Sequence, residues 1–315
     1  MTTNFGIVTA CWKGDYFLVK ATCASIRHFL GDVPICVVVD GNFSIQELEN
    51  LYGVQPLYLS QLSNPELRRR CPGSSRAKLA AIWEGPFEHF LYLDSDAIVW
   101  GNLLEKFDLT TTDFVVMRPP LYGCLPKHEV SRWFFNVDTL LEIDPTFEWQ
   151  NQPYFCAGAF AAKRNCFDLQ EYLRLEALAD QYPDLFKFWD QGIVNYMVFS
   201  ANQAGLLKYK VVDIQVVTAD HSKSTLEEQY PCSIYKTPQN VEKATIIHFC
   251  GNKPFIHKIK SFSKPFTTFR LLHYQKLMGD NISGKIKSIF QLFGEEFELL
   301  TNKAKSKFKR IINSQ

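Results

Sequence analysis

Hydrophobic positions in the first hundred residues switch between continuous runs and helically spaced stripes. Phe5–Ala10 is a short apolar run of the buried-strand kind. Tyr16–Leu30 places apolar residues at helical spacing and stops at Gly31, a residue that commonly ends helices. Ile35–Val39 is a continuous, mostly β-branched run broken by Asp40 and Gly41. Such runs are buried on both faces and belong to parallel sheets covered by helices. The pattern next predicts a helix over Ser44–Leu51, with Ser44 as N-cap and Glu47 closing a capping box. A third strand over Pro56–Leu59, a helix over Ser74–Trp83 and a strand over His89–Leu93 follow. Strand and helix in alternation imply right-handed βαβ units and an α/β sheet.

Downstream, Phe114–Met117, Gly158–Ala162, Lys208–Ile214 and Ala244–His248 read as strands, and Asn165–Leu178 and Trp189–Phe199 as helices. The stretch Arg118–Pro153 shows neither period and is rich in aromatics, among them Tyr122, Trp133, Phe134, Phe135 and Trp149. Long irregular insertions of this kind form binding loops, so an acceptor surface is expected there.

The chain has 315 residues, enough for one large domain or two modest ones. With 46% hydrophobic and 21% charged residues, wholesale disorder is excluded. A net charge of +1 gives no footprint for nucleic acid. That balance hides an asymmetry. From Lys253 onward there are 13 Lys and Arg against 4 Asp and Glu, a net of +9, which leaves −8 for the residues before it. A basic tail on an acidic body suggests an anionic partner for the tail. Nine cysteines without a CxxC pair argue for reduced thiols rather than a disulfide or zinc framework. Met1–Ala10 has no basic segment followed by an apolar core, and no apolar run reaches the roughly 18 residues of a membrane span. A cytoplasmic protein is expected.

The sharpest chemical feature is Asp94-Ser95-Asp96 at the end of the apolar strand Leu91–Leu93. Ligands of open α/β sheets bind at that edge. Residues i and i+2 of extended chain point the same way, so the two carboxylates can share one cation. Two hard oxygens suit Mn²⁺ or Mg²⁺, which also accept phosphate oxygens. A surface Asp pair in a turn is the bland alternative. A dehalogenase-type phosphatase fits less well, because its Asp pair follows the first strand of the fold. Downstream, the apolar run Ile246-Ile247 delivers His248, a nitrogen ligand for Mn²⁺, followed by Gly251, Lys253 and Pro254. Gly251 permits close backbone approach, and Lys253 supplies a cation for phosphate. Asp190 and Gln191 open a helix that runs through Asn195.

Taken in order, Thr9-Ala10, Lys78, Asp94-Ser95-Asp96, Ala157-Gly158, Asp190 to Asn195 and His248 to Pro254 resemble glycosyltransferase family eight. This is the retaining GT-A group that includes glycogenin and bacterial lipo-oligosaccharide galactosyltransferases. The resemblance spans roughly residues 5–256. It implies a GT-A fold, with a Rossmann-like, mostly parallel sheet flanked by helices. It implies a catalytic domain over residues 1–260 and a basic helical extension over 261–315. It further implies transfer of a hexose from UDP-glucose or UDP-galactose to a saccharide or glycolipid hydroxyl. Asp94, Asp96 and His248 match the ligands of Mn²⁺ or Mg²⁺. Thr9, Ala10 and Tyr16 match the nucleoside contacts. Lys78 matches the basic residue that reaches the donor, alongside Ser95. Gly251 and Lys253 match the diphosphate turn, and Asp190 and Gln191 the residues beside the transferred sugar.

The chain departs from the family pattern at Cys156, where an Asn is usual, at Lys187, where some members carry an acid, and at Phe255, where Trp is common. The retaining chemistry implied is a front-face route, in which the acceptor hydroxyl attacks beside the departing diphosphate. Two other readings are a nucleotidyltransferase and a non-catalytic sugar-nucleotide-binding protein on the same frame. The first is disfavoured because no Gly-rich basic loop follows the first strand. In the tail, apolar residues at 286, 289, 290, 293, 297, 300, 304, 308 and 311 make one helical stripe, and Lys303, Lys305, Lys307, Lys309 and Arg310 follow. This reads as an interfacial helix on the inner face of an anionic membrane, interrupted by Glu295, Glu296 and Glu298, or as a helix packed on the domain.

Overall fold

The computed structural model describes residues 4–73, 75–119, 124–239, 241–251, 253–257 and 261–313, with side chains as far as 302. Ser74, Tyr122, Asn252 and the side chains of the Lys303–Arg310 run lie outside the described residues. The chain opens with β1 (Phe5–Trp12), α1 (Tyr16–Leu30), β2 (Ile35–Asp40), α2 (Gln46–Tyr52) and β3 (Gln55–Tyr58). Then come α3 (Pro65–Arg70), a 3-10 turn leading into α4 (Ala80–Glu84), β4 (His89–Leu93) and β5 (Ala97–Trp100). The middle holds β6 (Phe114–Met117), α5 (Lys127–Trp133), α6 (Val137–Ile143), β7 (Ala159–Lys163), α7 (Leu169–Gln181) and α8 (Asp190–Gln203). The chain closes with β8 (Tyr209–Val212), β9 (Gln215–Val217), α9 (Lys223–Gln229), β10 (Thr245–His248), α10 (Lys264–Met278) and α11 (Ile282–Asn313).

Seven strands form the main sheet in the order β3-β2-β1-β4-β7-β6-β8. β1 to β4 pair in parallel, β7 is antiparallel to both neighbours, and β8 is parallel to β6. The expected mixed, mostly parallel sheet is therefore present. Alternate strand residues feed two cores. Val8, Val38, Tyr92, Phe114 and Phe160 pack on one face, and Ile7, Val37, Leu93, Val115 and Ala161 on the other. A second sheet, β5-β10-β9, sits beside the carboxyl end of β4.

Three expectations need correction. The Ser44–Glu47 capping box does not form. The helix begins at Gln46, Ser44 Oγ accepts only from Gln46 N (3.2 Å), and Glu47 pairs with Lys20 and His273 instead. The irregular stretch 118–153 contains two short helices, α5 and α6, whose seven residues each are too few to show a period. Glu295 and Glu296 do not interrupt a surface stripe. They turn inward to the fully buried guanidinium of Arg270, at 2.9 and 2.7 Å, and Glu295 also meets Lys20 at 3.0 Å. α11 thereby packs on α10, and α10 packs on α1.

Arg270→Leu strands two inward-facing carboxylates. Chemical denaturation should show a loss of roughly 3–5 kcal/mol, the usual cost of removing one partner of a buried pair.

Candidate functional site

β4 ends at Leu93, and the chain turns through Asp94, Ser95 and Asp96 before entering β5. α1 fastens this turn, because Thr22 Oγ1 donates to Ser95 O (2.8 Å) and Ala97 O (2.9 Å). β10 then runs antiparallel to β5 in a register that sets His248 opposite Ala97, and Phe249 N donates to Asp96 O at 2.9 Å. Strand pairing thus carries an imidazole from the far end of the chain to the carboxylates. His248 Nε2 lies 3.2 Å from Asp96 and 3.6 Å from Asp94. One ligand atom from each of the three residues falls within a mutual 4.8 Å.

The third segment arrives on β7. Its antiparallel pairing with β4 sets Ala159 opposite Leu93, and Asp94 N donates to Gly158 O at 2.8 Å. A Cβ at Gly158 would stand 2.2 Å from His248 Cε1, so no other residue fits without moving the imidazole. The Nδ1 edge of His248 faces Cys156 Sγ and the side-chain amide of Gln215, each at 3.4 Å. The environment fixes that amide's orientation, with its nitrogen donating to Met117 O (2.8 Å) and Cys156 O (3.2 Å). The amide oxygen is left to accept from Nδ1–H, which turns Nε2 toward the two carboxylates. Gln215 is fully buried and escaped the sequence reading, although a polar residue at the head of the apolar pair Val216-Val217 marks such a position.

Positive charge balances the carboxylates. Lys78 is buried and bridges Asp94 Oδ1 (2.8 Å) and Asp190 Oδ2 (2.6 Å), while donating to Ala157 O (3.1 Å). Burial alone would lower its pKa, but Asp190 and Asp94 overcome that and hold the ammonium charged. Lys253 reaches Asp96 Oδ2 at 2.9 Å. Burial resists ionisation of Asp96, yet His248 and Lys253 keep its carboxyl below the usual range. Tyr92 OH donates to Asp94 Oδ1 at 2.8 Å, a strand neighbour on the same face that the sequence reading did not single out. Gln191 is immobilised, its Oε1 accepting from Ala157 N (2.9 Å) and its Nε2 donating to Phe155 O (3.1 Å).

These groups line one cavity of about 1180 Å³ at the carboxyl ends of β1, β2 and β4. Ala10, Lys78, Asp94, Ser95, Asp96, Asp190, Gln191, His248, Gly251 and Lys253 all face it. Cys11, Trp12, Asp15 and Asp40 extend it beyond the residues singled out in the sequence. Thr9 and Tyr16 are not among its lining. Thr9 is fully buried with an unpartnered hydroxyl, and Tyr16 stands edge-on to Phe43. Cys156 points to the imidazole from the cavity wall. All nine cysteines are free thiols, as the absence of CxxC suggested.

No protein-family model matches the chain, and no curated protein matches its sequence. Solved structures do match. The galactosyltransferase LgtC, in complex with donor and acceptor sugar analogues, superposes with a TM-score of 0.54 at 18% identity over 84% of this chain and 95% of its own. An active-site mutant of LgtC gives 0.53 at 16% identity, over 84% and 94%. The bifunctional glycosyltransferase WbbM gives 0.52 at 14% identity, over 89% of this chain and 52% of its own. The fold is therefore the GT-A fold of nucleotide-sugar glycosyltransferases, as the ordered motifs implied.

Gln215→Leu removes the acceptor for Nδ1–H while keeping the position filled. If the Asp94–Asp96–His248 group holds Mn²⁺, its affinity, followed by calorimetry, should fall about 10- to 100-fold, the range seen when the orienting partner of a metal ligand is lost.

Proposed function

We propose that the chain is a metal-dependent glycosyltransferase of the family-eight type. It moves a hexose from a nucleoside diphosphate sugar, UDP-glucose or UDP-galactose, to an acceptor hydroxyl with retention. One observation carries the reading: Asp94, Asp96 and His248 converge from distant parts of the chain on one cavity, between buried Lys78 and half-buried Lys253. The donor set fits Mn²⁺ or Mg²⁺, having two hard oxygens and an imidazole nitrogen, Nε2, already turned toward them. A cation held there would neutralise charge gathering on the leaving diphosphate.

The chain's own residues supply the rest. Lys253, partly exposed beside Asp96, would pair with a phosphate oxygen. Lys78 stays charged and fixed between Asp94 and Asp190, and orders both carboxylates before substrate arrives. Asp190 stands at the start of α8 and orients the sugar hydroxyls. Gln191, locked to the backbone at 155 and 157, supports the reacting face without being free to act as a base. With Asp190 tied to Lys78, the carboxylate beside the proposed sugar position is not free to act as nucleophile, which supports the front-face route. Such pre-placed charge needs little reorganisation during the reaction and is commonly the largest catalytic contribution.

A panel of sugar nucleotides with Mn²⁺ tests this. Wild type should release nucleoside diphosphate, and Asp94→Ala and Asp96→Ala should lose about 100- to 1,000-fold while remaining folded. Release of pyrophosphate would indicate a nucleotidyltransferase instead. Wild-type turnover by either variant would sink the site assignment.

The outer face of α11 supports a peripheral membrane contact. Ile282, Ile286, Phe290, Phe293, Phe297 and Leu300 are exposed along it at steps of three and four, with Lys285 and Lys287 exposed nearby. No helix among the described residues is long and apolar enough to cross a membrane. Apolar residues flanked by cations suit an anionic lipid surface. The wild type should co-sediment with phosphatidylglycerol vesicles, and Phe290→Ser with Phe297→Ser should not. Equal sedimentation of both proteins would dismiss the contact.

A further inference from the structure

At the mouth of the cavity two exposed rings lie face to face. Trp133 and Phe188 have centroids 5.6 Å apart and planes 19° apart, and both line the cavity that holds Asp190 and Gln191. Phe188 is 64% exposed and Trp133 41%, which is unusual for large aromatics in a chain whose other rings are mostly buried. The pair is held in place. An antiparallel bridge joins Phe135 to Phe186, Lys187 N donates to Phe134 O (2.7 Å), and Asn136 N donates to Leu185 O (2.8 Å). The two backbone segments that carry the rings are thus fastened to one another.

Phe188 and Trp189 also adopt positive φ, 49° and 52°, where non-glycine residues are strained. The strain has a local compensation. The Trp189 ring lies 3.6 Å from the Arg76 guanidinium, and its Nε1 donates to the buried Glu176 at 3.3 Å. This left-handed pair sends Trp189 toward the protein and leaves Phe188 facing outward, two residues before Asp190. The surroundings of the rings are polar. Trp133 Nε1 donates to Glu129 Oε2 (2.8 Å), and the Arg132 guanidinium lies 4.8 Å from the Trp133 ring.

We propose that Phe188, backed by Trp133, is the platform for a pyranose ring of the acceptor. This rests on the glycosyltransferase reading and deepens it by assigning the acceptor class. A pyranose offers an apolar C–H face to an aromatic ring and hydroxyls around its edge to Glu129 and Arg132. An acyl chain would match the rings but has no hydroxyl to offer Glu129 and Arg132 in place of the water it would displace. The position is also the right one, because the platform shares a cavity with Asp190 and Gln191, on the side of the lining formed by α5 and the segment before α8.

The test is binding of methyl β-galactoside and methyl β-glucoside, read by saturation-transfer NMR in the presence of Mn²⁺ and UDP, with Mn²⁺ affinity measured alongside. Wild type should bind at least one glycoside through its ring protons. Phe188→Ala should weaken that binding about three- to tenfold, in keeping with one aromatic contact, and Phe188→Tyr should restore it. Trp133→Ala, which removes the backing ring, should act in the same direction. Wild-type affinity in both alanine variants overturns the platform. So does binding of 1-octanol by wild type with no glycoside binding. Absence of Mn²⁺ binding in wild type would instead strike at the glycosyltransferase reading itself.

Discussion

Three carboxylates, from Asp94, Asp96 and Asp190, are gathered on the wall of one cavity, and the fold has to hold them there. At a few ångströms and a reduced dielectric, like charges repel by several kcal/mol, at an effective value of about 20. The protein meets this with fixed cations rather than with distance. Lys78 is threaded through the interior to touch two of the acids, and Lys253 and His248 attend the third. The cations come from two distant parts of the chain, Lys78 from before β4 and His248 with Lys253 from the end of β10 and the turn after it. The acidic cluster can therefore exist only once the sheet, the β5–β10 pairing and the turn before α8 are all formed. The site is a product of the complete fold, not of the local Asp94–Asp96 segment.

That dependence explains what could be read from residues alone. Strands buried on both faces announce themselves through uninterrupted apolar runs, so β2, β4 and β6 match their expected spans. α1 does too, because fifteen residues are enough to establish a period. The clustering of Asp94, Asp96 and His248 was legible because they sit at strand ends with distinctive neighbours. What was not legible depends on long-range pairing. Nothing local marks β5 as the partner of β10, though that register is what brings His248 to Asp96. Nothing local says that Glu47 serves His273 and Lys20 rather than its own helix. Glu295 and Glu296 looked like breaks in a surface stripe, because the cation they answer, Arg270, lies on the preceding helix.

The departure at Cys156 has a physical setting as well. Its sulfur rests against the Nδ1 edge of His248, beside the Gln215 amide. A soft, weak acceptor there leaves the stronger amide oxygen to set the orientation of the imidazole. The wall of the cavity at this point is consequently shaped around the His248 imidazole.

The docking of α10 against α1 bears on how the polypeptide can be shortened. α1 is covered by β-strands on its inner side and by α10 on its outer side, where Phe269 and Arg270 approach Phe29 and Phe17. A version ending soon after the last cavity residue, Lys253, would leave that outer side bare, and an ammonium, Lys20, would lose its carboxylate from α11. Any trimmed form meant for crystals or assays should therefore keep the sequence at least through Leu299, the last apolar residue of α11 that packs inward among the described side chains.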